Sequence, residues 1–331
     1  MALTILMTLV SLGLILLSCY VFVNAVEQAG EKLDLHQGIV GSILAAVGTA
    51  LPETIIPIMA ILITNTPGSQ EIGIGAIAGA PFMLGTLAFF VTGAAVLVYS
   101  ALGRRTTAMS MDIGHLRKDL VFFLIIYGIA VLTTFIHNHP AIRGGIAVVL
   151  MLSYVLYLKL TISAECLANE ECEPLYLSSI LKVKDNLGWI SVQLLLGLFL
   201  IIAGSHLFIG YVEDLSGILG VSPLILSIII TPIATELPEK MNSIIWVGRG
   251  KDTLAMGNIT GAMVFQSCFP VVFGILFTPW NLAGTTMLSA CLAFGSTLLV
   301  LLWITVFKKL SPYVLLVGGL LYASFLVSVL T

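Results

Sequence analysis

Two short stretches of this sequence decide its fold: GTALPE at residues 48–53 and ATELPE at residues 234–239. Each ends in a proline followed by a glutamate, which is Glu53 in the first stretch and Glu239 in the second. Both glutamates stand inside long apolar runs. A carboxylate in the middle of a membrane costs several kcal/mol, so such a residue indicates a functional site.

The composition of the chain points to a membrane protein. The chain has 331 residues, of which 59% are hydrophobic and only 9% are charged. Soluble globular domains carry about 25% charged residues. So few charges cannot cover a water-facing surface, which excludes a soluble enzyme, a disordered protein and a nucleic-acid-binding protein. The five cysteines show no zinc-type spacing, so they are expected to be small apolar side chains or free thiols.

The apolar runs predict an all-α polytopic membrane protein with ten transmembrane helices. A run must cover about 30 Å of hydrocarbon to span the bilayer. Runs of this kind lie at residues 2–26, 37–63, 72–100, 119–137, 141–159, 188–212, 221–247, 254–279, 283–307 and 311–330.

The basic residues predict the orientation of these spans. Twelve of the fourteen lysines and arginines fall in loops on one side of the predicted membrane, and only Arg143 and Lys240 do not. The positive-inside rule makes that side cytoplasmic. The expected location is the cell membrane, with several spans and with both termini extracytoplasmic.

The two halves of the chain form an internal repeat. Residues 14–62 align with residues 200–248 without a gap, and this alignment places Glu53 on Glu239. Beyond a short deletion, Gly75–Ala80 aligns with Gly257–Ala262. Five spans in each copy force the second copy to enter the membrane inverted, and inverted repeats with interrupted helices are typical of transporters. The predicted organisation is a first repeat at 1–159, a cytoplasmic connecting loop at 160–187 and a second repeat at 188–331.

The residues around the two glutamates favour a cation site. A proline cannot bond the carbonyl four residues back, so each proline frees a carbonyl oxygen near a threonine hydroxyl, Thr49 or Thr235. An all-oxygen environment suits hard cations such as Ca²⁺ or Na⁺. In the second copy, the side chain of Asn258 can add an amide oxygen. Close helix packing explains the surrounding glycines, so they are not candidate ligands.

Two further polar residues have two interpretations each. Ser243, four residues after Glu239, either orients that carboxylate or bonds back to its own helix. Gln266, two turns past Asn258, either lines the ion path or bonds across helices.

The two stretches resemble the paired α-repeat motifs of the cation/calcium exchanger superfamily, usually of the form Gly-Thr-Ser-x-Pro-Glu. Residues 257–261, with the sequence GNITG, resemble the family's Gly-Asn-x-x-Gly continuation. The resemblance implies Ca²⁺ export driven by an inward cation gradient, with alternating access by sliding of spans 1 and 6. It also implies that Glu53 and Glu239 are the central cation ligands, with Thr49, Thr235 and Asn258 beside them.

The sequence departs from this pattern in both motifs and also at Ala76, which stands where the first repeat usually has asparagine. Ala50 stands where the first motif has serine, so it can offer only its backbone carbonyl; Glu236 stands there in the second motif, four residues before Lys240. In one interpretation, Glu236 is a third cation ligand or a proton carrier. In the other, it forms a structural ion pair with Lys240.

The residues therefore favour a secondary antiporter that exchanges Ca²⁺, or a related divalent cation, for Na⁺. The alternatives are a proton-coupled exchanger and a degenerate family member with altered stoichiometry. Neither an enzymatic motif nor a channel-type filter stands out, so no enzyme activity and no cofactor are expected. The expected partners are membrane lipid and small inorganic cations, and because the chain carries both halves of its site, an oligomer is not required.

Overall fold

The computed structural model describes residues 1–32, 51–64, 66–136, 139–162, 174–182 and 186–330, and for residues 237–242 it describes the helical backbone alone. These residues are overwhelmingly helical, and no β-strand occurs among them. The α-helices are α1 Ala2–Lys32, α2 Leu51–Ile58, α3 Ser69–Met83, α4 Phe89–Ala101, α5 Ile113–Leu132, α6 Pro140–Ile162, α7 Tyr176–Leu181, α8 Leu187–Leu219, α9 Pro223–Gly248, α10 Asp252–Phe277, α11 Thr285–Phe307 and α12 Pro312–Leu330.

Polar residues at the helix ends satisfy backbone groups that the helices leave open. At the start of α8, Asn186 accepts a hydrogen bond of 3.0 Å from the N–H of Trp189. At the start of α5, Asp112 accepts one of 2.8 Å from the N–H of Gly114. The other end of α8 is closed by Gly220, whose φ of 67° suits a residue without a side chain. These caps allow long apolar helices to begin and end at defined residues.

Two π-helical turns follow prolines in the described chain. The turn Met59–Ile63 continues α2 just after Pro57, and the turn Leu84–Ala88 joins α3 to α4 just after Pro81. Proline removes one backbone hydrogen bond, and a widened turn re-satisfies the neighbouring groups. Both interruptions lie in the first half of the chain.

Glycines bring α3 and α9 into close backbone contact. A methyl group added at Gly75 would lie 2.6 Å from the carbonyl oxygen of Leu224, and one at Gly79 would meet the carbonyl of Ile228. The hydroxyl of Ser227 also donates a 2.7 Å hydrogen bond to the carbonyl of Ile72 across this interface. The close-packing interpretation of the first glycine segment is therefore confirmed. The repeat would place residues 38–46 opposite Gly257 and Gly261, and these lie outside the described part of the chain.

The helices of the two halves pack against one another in a reciprocal way. The α3 and α4 helices of the first half contact α11 and α12 of the second, while α10 of the second half contacts α5 and α6 of the first. This pattern is what a two-fold relation between the halves would produce. The large apolar cluster of the molecule lies between these helices.

The α1 and α8 helices form a separate pair at one side. They contact each other more extensively than they contact the other described helices, with which they share a smaller apolar cluster that includes Phe208, Ile56 and Ile72. Gly197 and Gly204 of α8 lie against Phe22 and Ile15 of α1 at distances that a larger side chain would not allow. Small residues that let helix backbones approach in this way are typical of packing in lipid.

The predicted helical membrane architecture is confirmed, whereas the count of ten spans and the inverted repeat stay predictions. Eight segments in the described residues are long and apolar enough to span a bilayer. Two shorter apolar helices, Pro52–Ile63 and Pro223–Glu236, stand within the other two predicted spans, and both contain residues of the decisive stretches. Large apolar side chains also cover the outer surface, where Leu9, Leu152, Phe199 and Leu320 each expose more than half of their area.

Candidate cation site

The first of the two central glutamates is buried where several helices meet. Glu53 lies in the first turn of α2 and is 5% exposed. This helix contacts α3, α8, α9 and α10. A carboxylate can be kept in such a place only if positive charge or hydrogen-bond donors balance it. Thr49 and Ala50, which precede it in the motif, lie outside the described residues.

The second glutamate of the two motifs whose side chain the structure describes is Glu236 of α9. It is fully buried, and it accepts a 3.1 Å hydrogen bond from the side-chain nitrogen of Gln266 in α10. Gln266 is 1% exposed, and its side-chain oxygen has no hydrogen-bond partner among the described residues. Gln266 therefore does bond across helices, and it also keeps one buried oxygen that can serve as a ligand.

A second polar contact joins the same two helices. The side-chain nitrogen of Asn258 donates a 3.1 Å hydrogen bond to the hydroxyl of Ser243. This hydroxyl also lies 3.3 Å from the carbonyl oxygen of Ala255, to which it donates. Ser243 was expected to orient Glu239 or to bond to its own helix, but its described partners lie on α10. The reason is that α9 and α10 are antiparallel neighbours, which a single-helix pattern does not show.

These two side-chain hydrogen bonds connect α9 to α10 at two points. Glu236 and Ser243 are seven residues apart, so they share one face of α9. Position 239 lies between them along the axis, about 4.5 Å from the first and about 6 Å from the second at the usual rise per residue. The side chains of Glu239 and Lys240 fall outside the described residues. Both interpretations of Glu236 therefore stay open, and its contact with α10 is what the structure adds.

Thr235 points its hydroxyl back along its own helix. The hydroxyl donates a 3.0 Å hydrogen bond to the carbonyl of Thr231, and the side chain is 1% exposed. A hydroxyl that donates to the backbone keeps its lone pairs as acceptors. As a cation ligand, Thr235 would use those lone pairs and keep its present bond.

The described site is built from oxygen and amide groups. Among the residues that the structure describes, no three histidine, cysteine, aspartate or glutamate side chains lie together in a cluster. The candidate cation ligands that the structure describes are two carboxylates, on Glu53 and Glu236, the amides of Asn258 and Gln266, and the hydroxyl of Thr235. Carboxylate and carbonyl oxygens are the ligands of hard cations.

The structure also shows a buried carboxylate that no sequence motif marks. Asp119 of α5 is fully buried and accepts hydrogen bonds from Tyr157 of α6, at 3.1 Å, and from Thr260 of α10, at 2.7 Å. His115, one turn earlier on α5, lies 3.5 Å from the same carboxylate. In the sequence Asp119 stands at the edge of an apolar run. Because α5 begins six residues earlier, Asp119 lies inside the helix and is buried in the bundle. It fixes three helices to one another.

A buried ion pair fastens α10 at its start. Arg105 forms a two-pronged contact with Asp252, at 2.7 and 2.9 Å, and the two side chains are 7% and 1% exposed. The N–H of Ser110 donates a further 2.8 Å hydrogen bond to Asp252. A negative charge at this position also suits the positive end of the helix dipole.

A helical membrane protein with carboxylates buried between packed helices is typical of ion transporters. The sequence profile of the sodium/calcium exchanger protein family matches residues 3–163 and 189–331. The chain belongs to that family. That family comprises membrane cation exchangers and not enzymes.

Related sequences are membrane proteins. The chain is 25% identical over 302 residues to an uncharacterized membrane protein of Methanocaldococcus jannaschii, which covers 88% of this chain and 87% of that protein. It is 35% identical over 89 residues to the putative antiporter CaxA of Alkalimonas amylolytica. This second match covers 27% of the chain and 28% of CaxA, so it spans little more than a quarter of that relative.

Two solved structures share the fold. The H⁺/Ca²⁺ exchanger CAX superposes with a TM-score of 0.70 at 18% identity, over 99% of this chain and 82% of that chain. The sodium-calcium exchanger NCX_Mj, soaked with Na⁺ and Sr²⁺, superposes with a TM-score of 0.56 at 20% identity, over 99% and 98% of the two chains. At these identities the likeness concerns the fold.

Proposed function

We propose that the chain is a secondary antiporter that exports Ca²⁺, or a related divalent cation, in exchange for Na⁺. The transported ions bind in turn between Glu53 of α2 and Glu239 of α9, with the oxygens of Thr49, Thr235 and Asn258 beside them. The observation that carries this proposal is the meeting of α2, α9 and α10, which buries Glu53 and sets two amide side chains of α10 against α9.

The charge of the site supports an exchange of cations. Two carboxylates that approach each other in a low-dielectric site repel strongly, and bound positive charge removes the repulsion. Either one Ca²⁺ or two Na⁺ neutralises such a pair. Because both kinds of ion need the same carboxylates, they cannot occupy the site together, and competition of this kind is the physical basis of antiport.

The separate α1–α8 pair supports alternating access. Its described contacts with the other helices are fewer than those within the pair, which favours movement of the pair as one unit, whereas α3 and α9 are locked by backbone contact at Gly75 and Gly79. A movement of α1 and α8 against a fixed site would open that site to one side of the membrane and then to the other.

A proton-coupled exchange is the second candidate, and Glu236 favours it. This fully buried carboxylate stands where a sodium/calcium exchanger motif has a neutral serine, and it bonds to the neutral amide of Gln266. A third carboxylate in one site requires a third positive charge, which a proton can supply without needing the space or the ligands of a metal ion.

Transport by the purified protein in liposomes tests both candidates. Uptake of radioactive calcium is measured under an outward Na⁺ gradient and then under a pH gradient of equal size, with choline replacing Na⁺ in the control. We expect uptake under the Na⁺ gradient. Uptake under the pH gradient alone would establish the proton-coupled version, and uptake under neither would refute the exchanger proposal.

A matched pair of variants tests the site. Glu53→Gln should abolish uptake, because it removes one of the two central charges. Glu71→Gln removes the same charge from an exposed residue of α3 and should leave uptake unchanged. Normal transport by Glu53→Gln would show that the cation binds elsewhere.

A further inference from the structure

Ser243 and Asn258 form a contact whose chemistry fixes the direction of an amide group. Ser243 is 1% exposed, and its hydroxyl lies 3.1 Å from the side-chain nitrogen of Asn258 and 3.3 Å from the carbonyl oxygen of Ala255. A hydroxyl has one proton to donate. A carbonyl oxygen can only accept, so the proton goes to Ala255, and the lone pairs of the hydroxyl face Asn258.

An amide that meets a lone pair must present its N–H end. The nitrogen of Asn258 therefore faces Ser243, and the oxygen faces the opposite direction. A cation binds the oxygen of an amide and is repelled by its N–H groups. The hydroxyl of Ser243 thus decides whether Asn258 offers the transported ion a ligand or a donor.

We infer that Ser243 is a positioning residue that turns the side-chain oxygen of Asn258 toward the transported cation. This inference rests on the proposed function, and it gives Ser243 a task that does not involve direct contact with the ion. Ser243 acts on the side-chain amide of Asn258 in α10. Their hydrogen bond is one of the two contacts between α9 and α10 that lie on either side of position 239.

A double-mutant cycle measures this role as a change in apparent cation affinity. Ser243→Ala should raise the half-saturating Ca²⁺ concentration about fivefold, the effect expected from one neutral hydrogen bond, with the maximal rate nearly unchanged. Ser243→Thr keeps the hydroxyl and should restore the affinity. In protein that already carries Asn258→Ala, the added Ser243→Ala should have no further effect. An equal loss of affinity in both backgrounds would show that Ser243 acts on another group.

A spectroscopic measurement tests the contact without transport. In protein with isotopically labelled asparagine, the side-chain amide resonance of Asn258 is assigned by its absence in Asn258→Ala. Ser243→Ala should shift that resonance, and Ser243→Thr should keep it close to its original position. An unchanged resonance in Ser243→Ala would refute the inference. Absence of transport in the unaltered protein would instead refute the proposed function, so the two failures are distinguishable.

A second and independent feature concerns the short helix α7 in the loop that connects the two halves. It has six residues, and its N-cap residue Leu175 provides no side-chain hydrogen bond. The N–H of Tyr176 instead donates a 3.1 Å bond to the side-chain oxygen of Asn24 in α1, and that of Leu177 donates a 2.7 Å bond to Gln193 in α8. Two of the N–H groups that the first turn of this helix leaves open are thus satisfied by two other helices.

The two capping side chains are also bonded to each other. The side-chain nitrogen of Gln193 donates 2.9 Å hydrogen bonds to the oxygen of Asn24 and to the carbonyl of Val21, and Asn24 donates one of 3.3 Å to the carbonyl of Pro174. Asn24 is 3% exposed and Gln193 is 1% exposed. An isolated helix of this length is unstable in water, so these contacts stabilise α7 where it lies.

We further propose that α7 is a clamp that fastens α1 to α8 at the end predicted to face the cytoplasm, so that the two helices move as one body. The clamp binds both members of a pair that has more described contacts within itself than with the remaining helices. Apolar contacts among Ala25, Leu175 and Ile190 surround the polar bonds and keep water from them.

Hydrogen exchange tests the clamp directly. Gln193→Leu keeps the size of the side chain but removes the cap of Leu177 and the bond to Asn24. Exchange of the amide hydrogens of α7 should increase at least tenfold, a rise that loss of such buried bonds supports. Ser191→Ala is the matched control on α8, because Ser191 is exposed and bonds only to the carbonyl of Leu187 among the described residues. Unchanged exchange in Gln193→Leu would refute the docking of α7.

Transport kinetics test the coupling of the clamp to the movement. No proposed ligand lies on α1, α7 or α8, so Gln193→Leu should lower the maximal rate about fivefold or more and leave the half-saturating Ca²⁺ concentration unchanged. Faster exchange in α7 with an unchanged maximal rate would show that α7 docks without controlling movement, and it would overturn the proposal. The hydrogen-exchange test of α7 does not depend on which two ions the antiporter exchanges.

Discussion

The contact between α3 and α9 gives a prediction whose size can be worked from the structure. A methyl group at Gly75 would lie 2.6 Å from the carbonyl oxygen of Leu224 and 2.8 Å from the Cβ atom of Ser227. Ordinary contacts of this kind begin at 3.4 Å. Gly75→Ala therefore forces the two helices apart by about 0.8 Å, the difference between these distances, since packed interiors have little free space.

This separation has two costs. Overpacking in a well-packed interior typically costs about 1–3 kcal/mol. The hydrogen bond from Ser227 to the carbonyl of Ile72 is 2.7 Å long, and the separation stretches it toward the limit of a useful bond. The weakened hydrogen bond adds little, because polar bonds between membrane helices contribute about 0.6 kcal/mol on average. Together with the overpacking, we expect a total loss of stability of about 2 kcal/mol.

The separation should also reduce transport. Metal ligands must hold their distances to within about 0.2 Å, and α9 carries Thr235 and Glu239. Thermal unfolding in detergent and calcium uptake in liposomes are measured together. Gly145→Ala is the control, because Gly145 is an exposed glycine within α6 and a methyl group there has no neighbour within 4 Å. A Gly75→Ala protein as stable and as active as the Gly145→Ala protein would refute the reasoning.

Three other perturbations follow from single contacts. Asp119→Asn should lower stability by about 1–2 kcal/mol, seen in thermal unfolding, because an amide cannot accept as many hydrogen bonds as the carboxylate does; equal melting temperatures would contradict this. Arg105→Lys should also lower the melting temperature, since lysine cannot form the two-pronged contact with Asp252; an unchanged value would mean that the fork adds nothing. Gln266→Leu should raise the half-saturating Ca²⁺ concentration about tenfold, because Glu236 loses a buried donor and the site loses an oxygen; normal affinity would place Gln266 outside the ion path.

Much of the fold could be predicted because each membrane span corresponds to one continuous apolar run of the sequence. Apolar length gave the positions of the helices to within a few residues at most ends, as in Thr285–Phe307 for a predicted span at 283–307. In the two predicted spans that contain the decisive stretches, the described apolar segments are Pro52–Ile63 and Pro223–Glu236, and the rest of each motif lies outside the described residues.

Contacts between distant residues could not be predicted in the same way. Asn24 and Gln193 are 169 residues apart, and Asp119 and Thr260 are 141 apart. No periodicity within one helix shows which residue of another helix will face it. Ser243 illustrates the point, because its spacing from Glu239 on α9 suggested a partner, while the neighbouring helix α10 supplies the partners that are described.

The central claim is that a cation binds between α2, α9 and α10, and its location can be measured directly. Crystals of the protein soaked with Sr²⁺, a heavier analogue of Ca²⁺, would reveal the ion by its anomalous scattering. We predict one strong peak within bonding distance of a carboxylate oxygen of Glu53, beside the side-chain oxygen of Asn258. A peak at Asp119, or none near Glu53, would contradict the account.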